Sequence, residues 1–422
     1  MPVKESGNDC GSTADTGWLD ALANRRVFIE TYGCRYNFGD TAKLVEILKS
    51  NGSTVVGSAG EADAVVINTC TVVGPTERRM LRQLSRYRDH ELYVTGCMPE
   101  VQRDAIFSVC TPTLIPPEKI REEYRNIMTV TKGGPGIVQI AQGCLGQCTY
   151  CLTRFARGPL KSFSKEEILS QVQTFVRSGI PEIQLTAQDV SAWGRDCGST
   201  FPELLADISD IPGRFIVRVG MMNPTTVNYC LDDLVDAFSG NRISKFIHIP
   251  FQSGSDAVLT RMGRQYTVLE CEGIIAAFRK RYPDITIATD MIVGFPKETE
   301  TDFSMSCDLI DRVRPNKVNI TRYSRRPFTR ISSEKDFPDS VKKDRSRILN
   351  ARAEQLYGTL NRPLLGTVVP FIVTEIIREG SVMVRAPNYT GIVLNEDLPA
   401  GYEGRAILEK DRKYFFIGRR VC

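Results

Sequence analysis

The chain has 422 residues, 42% hydrophobic and 25% charged, with 54 lysines and arginines against 50 aspartates and glutamates. This is ordinary globular composition with room for two or three domains, and a net charge of +4 excludes a global basic field as the basis for nucleic-acid binding. No apolar run approaches the roughly 18–20 residues that cross a bilayer. Histidine is limited to His90 and His248, whereas cysteine occurs 13 times. Mixed Cys/His zinc sites and histidine acid–base chemistry have almost no raw material, so a bound metal would be bound by sulfur.

In chain order, residues 1–25 read as a polar, disordered tail without the apolar core of a signal peptide, which predicts a cytoplasmic chain without a membrane anchor. From residue 26, "RVFIETYGC", "DAVVINTC" and "ELYVTGC" each read as a buried strand ending in cysteine: Cys34, Cys70 and Cys97. Amphipathic segments such as "TAKLVEILKSNG" lie between them, so residues 26–130 are expected to form a parallel α/β domain. Ligands of such sheets bind beyond the carboxyl ends of the strands, where all three cysteines fall. A basic, Gly-rich joint, "TVTKGGPG", opens a second βα series over residues 131–361. Its six candidate strands, "GIVQIAQGC" to "KVNITRYS", fit a partial (β/α)6 barrel, with an open doubly wound sheet as the alternative. Short strands parted by Gly, Asn and Pro turns over 362–422 predict a small β-barrel.

The first barrel strand runs into "GCLGQCTYCLTRFARG", where Cys144, Cys148 and Cys151 are spaced C-x3-C-x2-C. Three thiolates on a 4Fe-4S cube leave one iron open to an exchangeable ligand, whereas four make a site for storing or passing electrons. The alternatives are zinc completed by a distant cysteine, or structural cysteines.

This motif, with Tyr150 before its last cysteine, resembles the cluster motif of radical S-adenosylmethionine enzymes. Together with "ETYGCRYN", "INTCTV", "VTGCMPE", "HIPFQSGSDAVLTRMGRQYT" and "TDMIVGFPKETETDF", it is similar to the methylthiotransferases. "CTYCLTRFARGPLKSF" and the closing β-domain look most like the archaeal and eukaryotic branch that acts on threonylcarbamoyladenosine beside the tRNA anticodon, at position 37. The resemblance implies two 4Fe-4S clusters, one on Cys144, Cys148 and Cys151 and an auxiliary one on Cys34, Cys70 and Cys97. It also implies S-adenosyl-L-methionine as radical source and methyl donor, with a deoxyadenosyl radical removing an adenine hydrogen and sulfur from the auxiliary cluster replacing it. An electron donor and a sulfur source are implied as further partners. Tyr150, Gln188, Arg218, Gln252, Ser253 and Asp290 match family segments around the adenosylmethionine, while His248 reads as a satisfied core histidine. Cys10, Cys110, Cys197, Cys230, Cys271, Cys307 and Cys422 have no assigned role.

Between Arg314 and Arg352 there are 12 Lys/Arg against 4 Asp/Glu. Within this segment "TRYSRRPFTR" offers Arg322, Arg325, Arg326 and Arg330 for RNA phosphates and Tyr323 and Phe328 for base stacking. The terminal barrel resembles the RNA-holding TRAM domain. Two positions depart from the family pattern, Lys297 and Phe328, each standing where glycine is usual. The rival readings are a relative acting on isopentenyladenosine or on a ribosomal-protein aspartate, and, from another class, a non-catalytic zinc and RNA-binding protein.

Overall fold

The computed structural model describes residues 17–71, 74–127 and 134–421. The N-terminal unit is a five-stranded parallel sheet of β1 (Arg26–Thr31), β2 (Thr54–Val56), β3 (Ala64–Thr69), β4 (Leu92–Gly96) and β5 (Thr113–Leu114), in the order β2-β1-β3-β4-β5. Ala64 to Thr69 and Leu92 to Gly96 are buried on both faces, as their continuous apolar character requires in a helix-covered parallel sheet. Strand order reverses between β1 and β3, which opens a crevice beyond their carboxyl ends. The helix α1 (Gly17–Leu22) corrects the expectation of a tail over 1–25: Trp18 and Leu22 are buried against Leu44, Ile47 and Ile120. Residues 1–16 lie outside the described residues.

The central unit carries six parallel strands: β6 (Gly136–Gln139), β9 (Glu182–Thr186), β10 (Ile216–Arg218), β11 (Phe246–His248), β12 (Thr286–Val293) and β13 (Lys317–Arg322). A two-stranded hairpin, β7 (Ala141–Gln142) with β8 (Lys161–Ser162), closes the loop after β6. Bridges Val217–Ile243 and Met221–His248 join the sheet β10-β9-β6 to β11-β12-β13, giving a six-stranded partial barrel. Period-two alternation divides its side chains. Ile183, Leu185, Val217, Val219, Ile247 and Val318 pack against the outer helices, and Gln184, Arg218, His248, Asp290, Lys317 and Asn319 fall on the opposite, lumen face.

The C-terminal strands β14 (Val368–Arg378), β15 (Ser381–Arg385), β16 (Gly391–Leu394), β17 (Glu403–Asp411) and β18 (Phe416–Val421) form a closed barrel around Phe371, Val384, Ile392, Leu408 and Phe416. The turn after β15 docks on the amino-terminal ends of the central strands. There the Lys245 N–H donates to the Pro387 carbonyl at 2.8 Å, and the Asn388 amide donates to the Asp284 carbonyl at 3.2 Å. Tyr389, in a left-handed conformation at φ 66°, stacks on Phe246 with ring centroids 5.2 Å apart.

Candidate functional site

Cys34, Cys70 and Cys97 follow β1, β3 and β4 and meet in the crevice where the strand order reverses. Gly33, at φ 114°, allows the close approach: a Cβ there would lie 2.9 Å from Cys70 Cβ and 3.2 Å from its sulfur. Only a residue without a side chain adopts this backbone at such a contact. The Asn37 side-chain amide ties the strand ends together by donating to the carbonyls of Tyr32 at 2.9 Å and Thr69 at 2.8 Å.

Cys144, Cys148 and Cys151 share the loop between β7 and the short helix Thr153–Arg157. The Gly143 N–H donates to Gln188 Oε1 at 2.7 Å, the Gly146 N–H to the Cys144 sulfur at 3.2 Å, and Arg330 to the Gln147 carbonyl at 2.5 Å. The loop is thus held by side chains from distant elements before any ligand binds.

Arg157 connects the two triads. It leaves the helix just after Cys151 and crosses into the N-terminal domain, with 3% of its surface exposed. It donates to the Cys97 sulfur at 3.4 Å, to Asn37 Oδ1 at 3.0 Å and to Asp40 Oδ2 at 3.0 Å, with its guanidinium carbon 4.7 Å from the Tyr36 ring centroid. Gln139 in β6 completes the junction, accepting from Lys43 at 2.6 Å and donating to Asp40 at 2.6 Å. Burial raises the Cys97 thiol to about 12 and that of Cys144 to about 11. A cationic centre among the sulfurs would offset that cost and hold them as thiolates. Among the described residues no three ligating side chains close around a single metal ion. The donor set at each triad is sulfur alone, the chemistry that iron–sulfur clusters take. The residues therefore fit two three-thiolate iron–sulfur clusters.

The remaining expected contacts divide into open and occupied groups. Gln252 sits at φ 68° at the end of β11's extension; its backbone bridges Asp290 and Ile292, and its side-chain amide has no hydrogen-bond partner among the described residues. Asp290 accepts from His248 at 2.9 Å and Asn319 at 2.8 Å. Burial pushes its pKa up, but these donors prevail and hold it below the ordinary value. Ser253 is fully buried; it accepts from the Ser255 N–H at 3.2 Å and faces Ser306, so its hydroxyl braces the turn. The Tyr150 ring packs edge-on to Phe295, and its hydroxyl accepts from Arg264 at 2.5 Å, leaving the backbone rather than the ring for a ligand. Arg218 lies opposite Gln184 in the register, deeper than the rim where a cluster-bound cofactor would sit.

The expected RNA face is also corrected in part. Arg326 is buried and ion-paired to Glu77, with a 3.0 Å hydrogen bond to Thr71, so it joins domains instead of meeting phosphate. Tyr323 is buried against Phe295 and cannot stack on a base. Much of the basic run is neutralised internally: Arg345 pairs with Glu298 at 2.6 Å, and Lys342 with Asp336 at 2.9 Å. Arg322, Arg325 and Phe328 remain exposed, and Arg330 is exposed at its loop bond to Gln147. Lys297 and Phe328 both adopt left-handed backbone, at φ 62° and 63°, which accounts for the usual glycine at these positions. Arg157, Asn37, Asp40 and Arg264 escaped sequence reasoning because each acts through a partner far away in the chain. Cys10 and Cys422 lie outside the described residues; Cys110, Cys271 and Cys307 are buried in packing, and Cys197 is exposed.

Two family models match: "Uncharacterized protein family UPF0004" over residues 26–115 and "Radical SAM superfamily" over residues 138–310. A probable threonylcarbamoyladenosine tRNA methylthiotransferase of Pyrococcus horikoshii is 38% identical over 398 residues, covering 88% of this chain and 94% of that one. The chain belongs to the radical S-adenosylmethionine methylthiotransferase family. The corresponding protein of Methanothermobacter thermautotrophicus is 35% identical, over 89% of this chain and 95% of its own. The Drosophila melanogaster threonylcarbamoyladenosine tRNA methylthiotransferase is 32% identical, over 83% and 69%. Among solved structures, the radical S-adenosylmethionine methyltransferase TsrM of Kitasatospora setae superposes with a TM-score of 0.53 at 15% identity, covering 73% of this chain and 75% of that one. That likeness concerns the fold. As a family member, this methylthiotransferase is an enzyme that uses two 4Fe-4S clusters and S-adenosylmethionine. Among the described residues, no helix is long and apolar enough to cross a membrane.

Proposed function

We propose that the chain converts N6-threonylcarbamoyladenosine beside the tRNA anticodon, at position 37, to its 2-methylthio derivative. The observation that carries this reading is the pair of three-thiol sites joined by one buried arginine. When bound, the clusters and S-adenosylmethionine supply the electron, the radical that removes hydrogen, the sulfur and the methyl group.

The protein's work is positioning and exclusion. Cys34, Cys70 and Cys97 would hold one cluster and Cys144, Cys148 and Cys151 the other, three thiolates at each. Gln188 and Arg330 fix the second thiol loop through Gly143 and Gln147. Gln252, with its free amide, Asp290, held in orientation by His248 and Asn319, and the Tyr150 backbone would bind the cofactor. Arg157 donates to the Cys97 sulfur, stabilising the thiolate and fixing the distance between the sites. Arg322, Arg325, Arg330 and the exposed Phe328 ring, with the TRAM-like barrel, engage the anticodon loop, where a base leaves the stack cheaply. The reductant and sulfur source act from outside the chain, and the cytoplasm is the compartment we assign. Nucleoside mass spectrometry of tRNA from a deletion strain tests the substrate. Loss of the methylthiolated threonylcarbamoyl nucleoside supports the reading, and its persistence at the parental level refutes it.

A further inference from the structure

The central and C-terminal barrels do not close completely against each other. Beside the docked turn they leave a cleft of about 690 Å³. The central barrel supplies one wall from the segments that lead into β10 and β11. The C-terminal barrel supplies the other from β14, β17 and the turn after β15. The cleft therefore lies at the amino-terminal ends of the central strands, opposite the end where Cys144, Cys148 and Cys151 follow β7. Backbone hydrogen bonds fix its central wall: the Val217 N–H donates to the Arg242 carbonyl at 2.7 Å, and the Ser244 N–H to the Val217 carbonyl at 2.9 Å. Ile243, bridged to Val217, is 1% exposed in the core. In this extended segment Arg242 and Ser244 take the other face, toward the cleft that both line.

Ser244 is 3% exposed, yet its hydroxyl has no hydrogen-bond partner among the described residues. Arg242 holds its guanidinium 5.0 Å from the Phe215 ring centroid, and its buried Nε is also without a partner. Buried donors left unmade are costly, and a ligand that accepts from them relieves the cost. The charges around the cleft have few counter-charges. Arg385 is satisfied within the fold, with Glu182 4.0 Å from its Nε and the Tyr389 ring centroid at 4.4 Å. Lys245 donates to the Gly240 and Ile243 carbonyls at 2.9 Å each, which orients the ammonium without neutralising it. Arg214, Arg242 and Arg405 have no ion pair or side-chain hydrogen bond among the described residues, and Arg214 and Arg405 are exposed. Among the residues that line the cleft, Glu403 is the one carboxylate. Setting Arg385 aside, four cations face one acid.

We propose that this cleft binds a backbone phosphate of the substrate tRNA, with Ser244 and Arg242 as its inner donors and Arg214 and Arg405 along its rim. The inference rests on the reading of a tRNA substrate and adds a contact remote from the modified base. A phosphodiester oxygen accepts and never donates, which suits a wall of donors, and it carries no sequence information, so the contact would set register and orientation. The exposed arginines leave the cleft open to a passing strand. The longest central strand, β12, has eight residues and spans roughly 26 Å. A folded RNA exceeds that length, so a loop held at the carboxyl ends keeps its stem within reach of the opposite end.

The test uses the anaerobically reconstituted full chain, a threonylcarbamoyl-modified tRNA and the oligonucleotide of its anticodon loop alone, with binding followed across a range of salt. Ser244→Ala and Arg242→Gln should each weaken tRNA binding about tenfold, the size of one hydrogen bond to a charged group. Arg242→Gln should also lower the slope of log affinity against log salt by about 1. Binding of the loop oligonucleotide, iron content and S-adenosylmethionine affinity should stay at the wild-type level. Ser244→Ala removes a hydroxyl that holds nothing in the protein, so its denaturation midpoint should equal or exceed that of the wild type; a lower midpoint marks the hydroxyl as structural and overturns its assignment. Equal weakening toward the tRNA and the loop oligonucleotide overturns the proposal, because it places the effect at the modified base. Inorganic phosphate binding that the variants lose while tRNA affinity is kept also overturns it, assigning the cleft to a free anion. A wild type that binds no tRNA refutes the substrate reading and the cleft together. Wild-type binding of tRNA that both variants retain, with the same salt slope, refutes the cleft alone.

Discussion

At the scale of single residues, Arg157 carries the most structural information. Its guanidinium reaches Cys97, Asn37 and Asp40 in a buried junction, so Arg157→Ala strands a buried carboxylate and should destabilise the protein by about 3–5 kcal/mol. A hydrogen bond to a cluster thiolate favours the reduced, more negative state. Arg157→Lys, which keeps the charge but loses the fork, should shift the auxiliary cluster's midpoint potential downward. An EPR-monitored titration in a Cys144→Ala background isolates that cluster, and an unchanged potential would argue that the sulfur contact is incidental. Lys297 and Phe328 make a second residue-scale case. Both stand in left-handed backbone that costs a non-glycine residue about 1–2 kcal/mol. Phe328→Gly should therefore raise stability by roughly 0.5–1 kcal/mol, after the entropy glycine loses on folding, as read by denaturant midpoint. The sequence displayed these two departures but not their backbone angles, which only the turn geometry defines. Cys144, Cys148 and Cys151 stood out in the sequence by their spacing, whereas Cys34, Cys70 and Cys97 stood out only as strand ends that match the family pattern. Arg157 was not legible, because its partners lie 60 to 120 residues away in the chain.

At the scale of elements, helix α2 (Arg35–Ser50) shows how far hydrophobic periodicity carries. Leu44, Ile47 and Leu48 fill the core as the pattern predicts, but Lys43 and Asp40 on the same helix are also buried, because β6 of the next domain covers them. An amphipathic pattern cannot reveal a polar stripe that meets another domain. Burial lowers Lys43 to about 8. Its pKa is therefore higher unfolded than folded, so the unfolded chain binds more protons between about pH 8 and 10.5 and stability rises with pH across that window. Relative to Lys43→Met, the wild type should gain at most about 1.4 kcal/mol per pH unit there; parallel stability–pH curves would show that Lys43 does not titrate anomalously. The basic run from Arg314 to Arg352 shows the opposite failure. Its count suggested an RNA face, yet Arg326, Lys342 and Arg345 are paired inside the fold, because composition records charges without their partners.

At the scale of the whole molecule, the three units were legible from period changes along the chain, since parallel βα alternation and short antiparallel strands leave different signatures. Their docking was not. Nothing in the local sequence shows that Tyr389, from the C-terminal barrel, stacks between Phe246 and Arg385 and donates to Glu182 at the base of the central barrel. Tyr389→Ala removes that anchor. The C-terminal barrel should stay folded but loosen, with faster hydrogen exchange at Lys245 and Thr390, whose backbone bonds hold or flank the docked turn. Unchanged exchange would mean that the remaining contacts suffice. The central claim concerns two open iron–sulfur sites with different tasks in one molecule. The most direct measurement compares S-adenosylmethionine cleavage and sulfur transfer for the anaerobically reconstituted wild type, Cys144→Ala and Cys34→Ala. The account predicts about eight irons per wild-type chain, no cleavage in Cys144→Ala, and cleavage without transfer in Cys34→Ala. Normal sulfur transfer by Cys34→Ala, or a fully active wild type with a single cluster per chain, would contradict it.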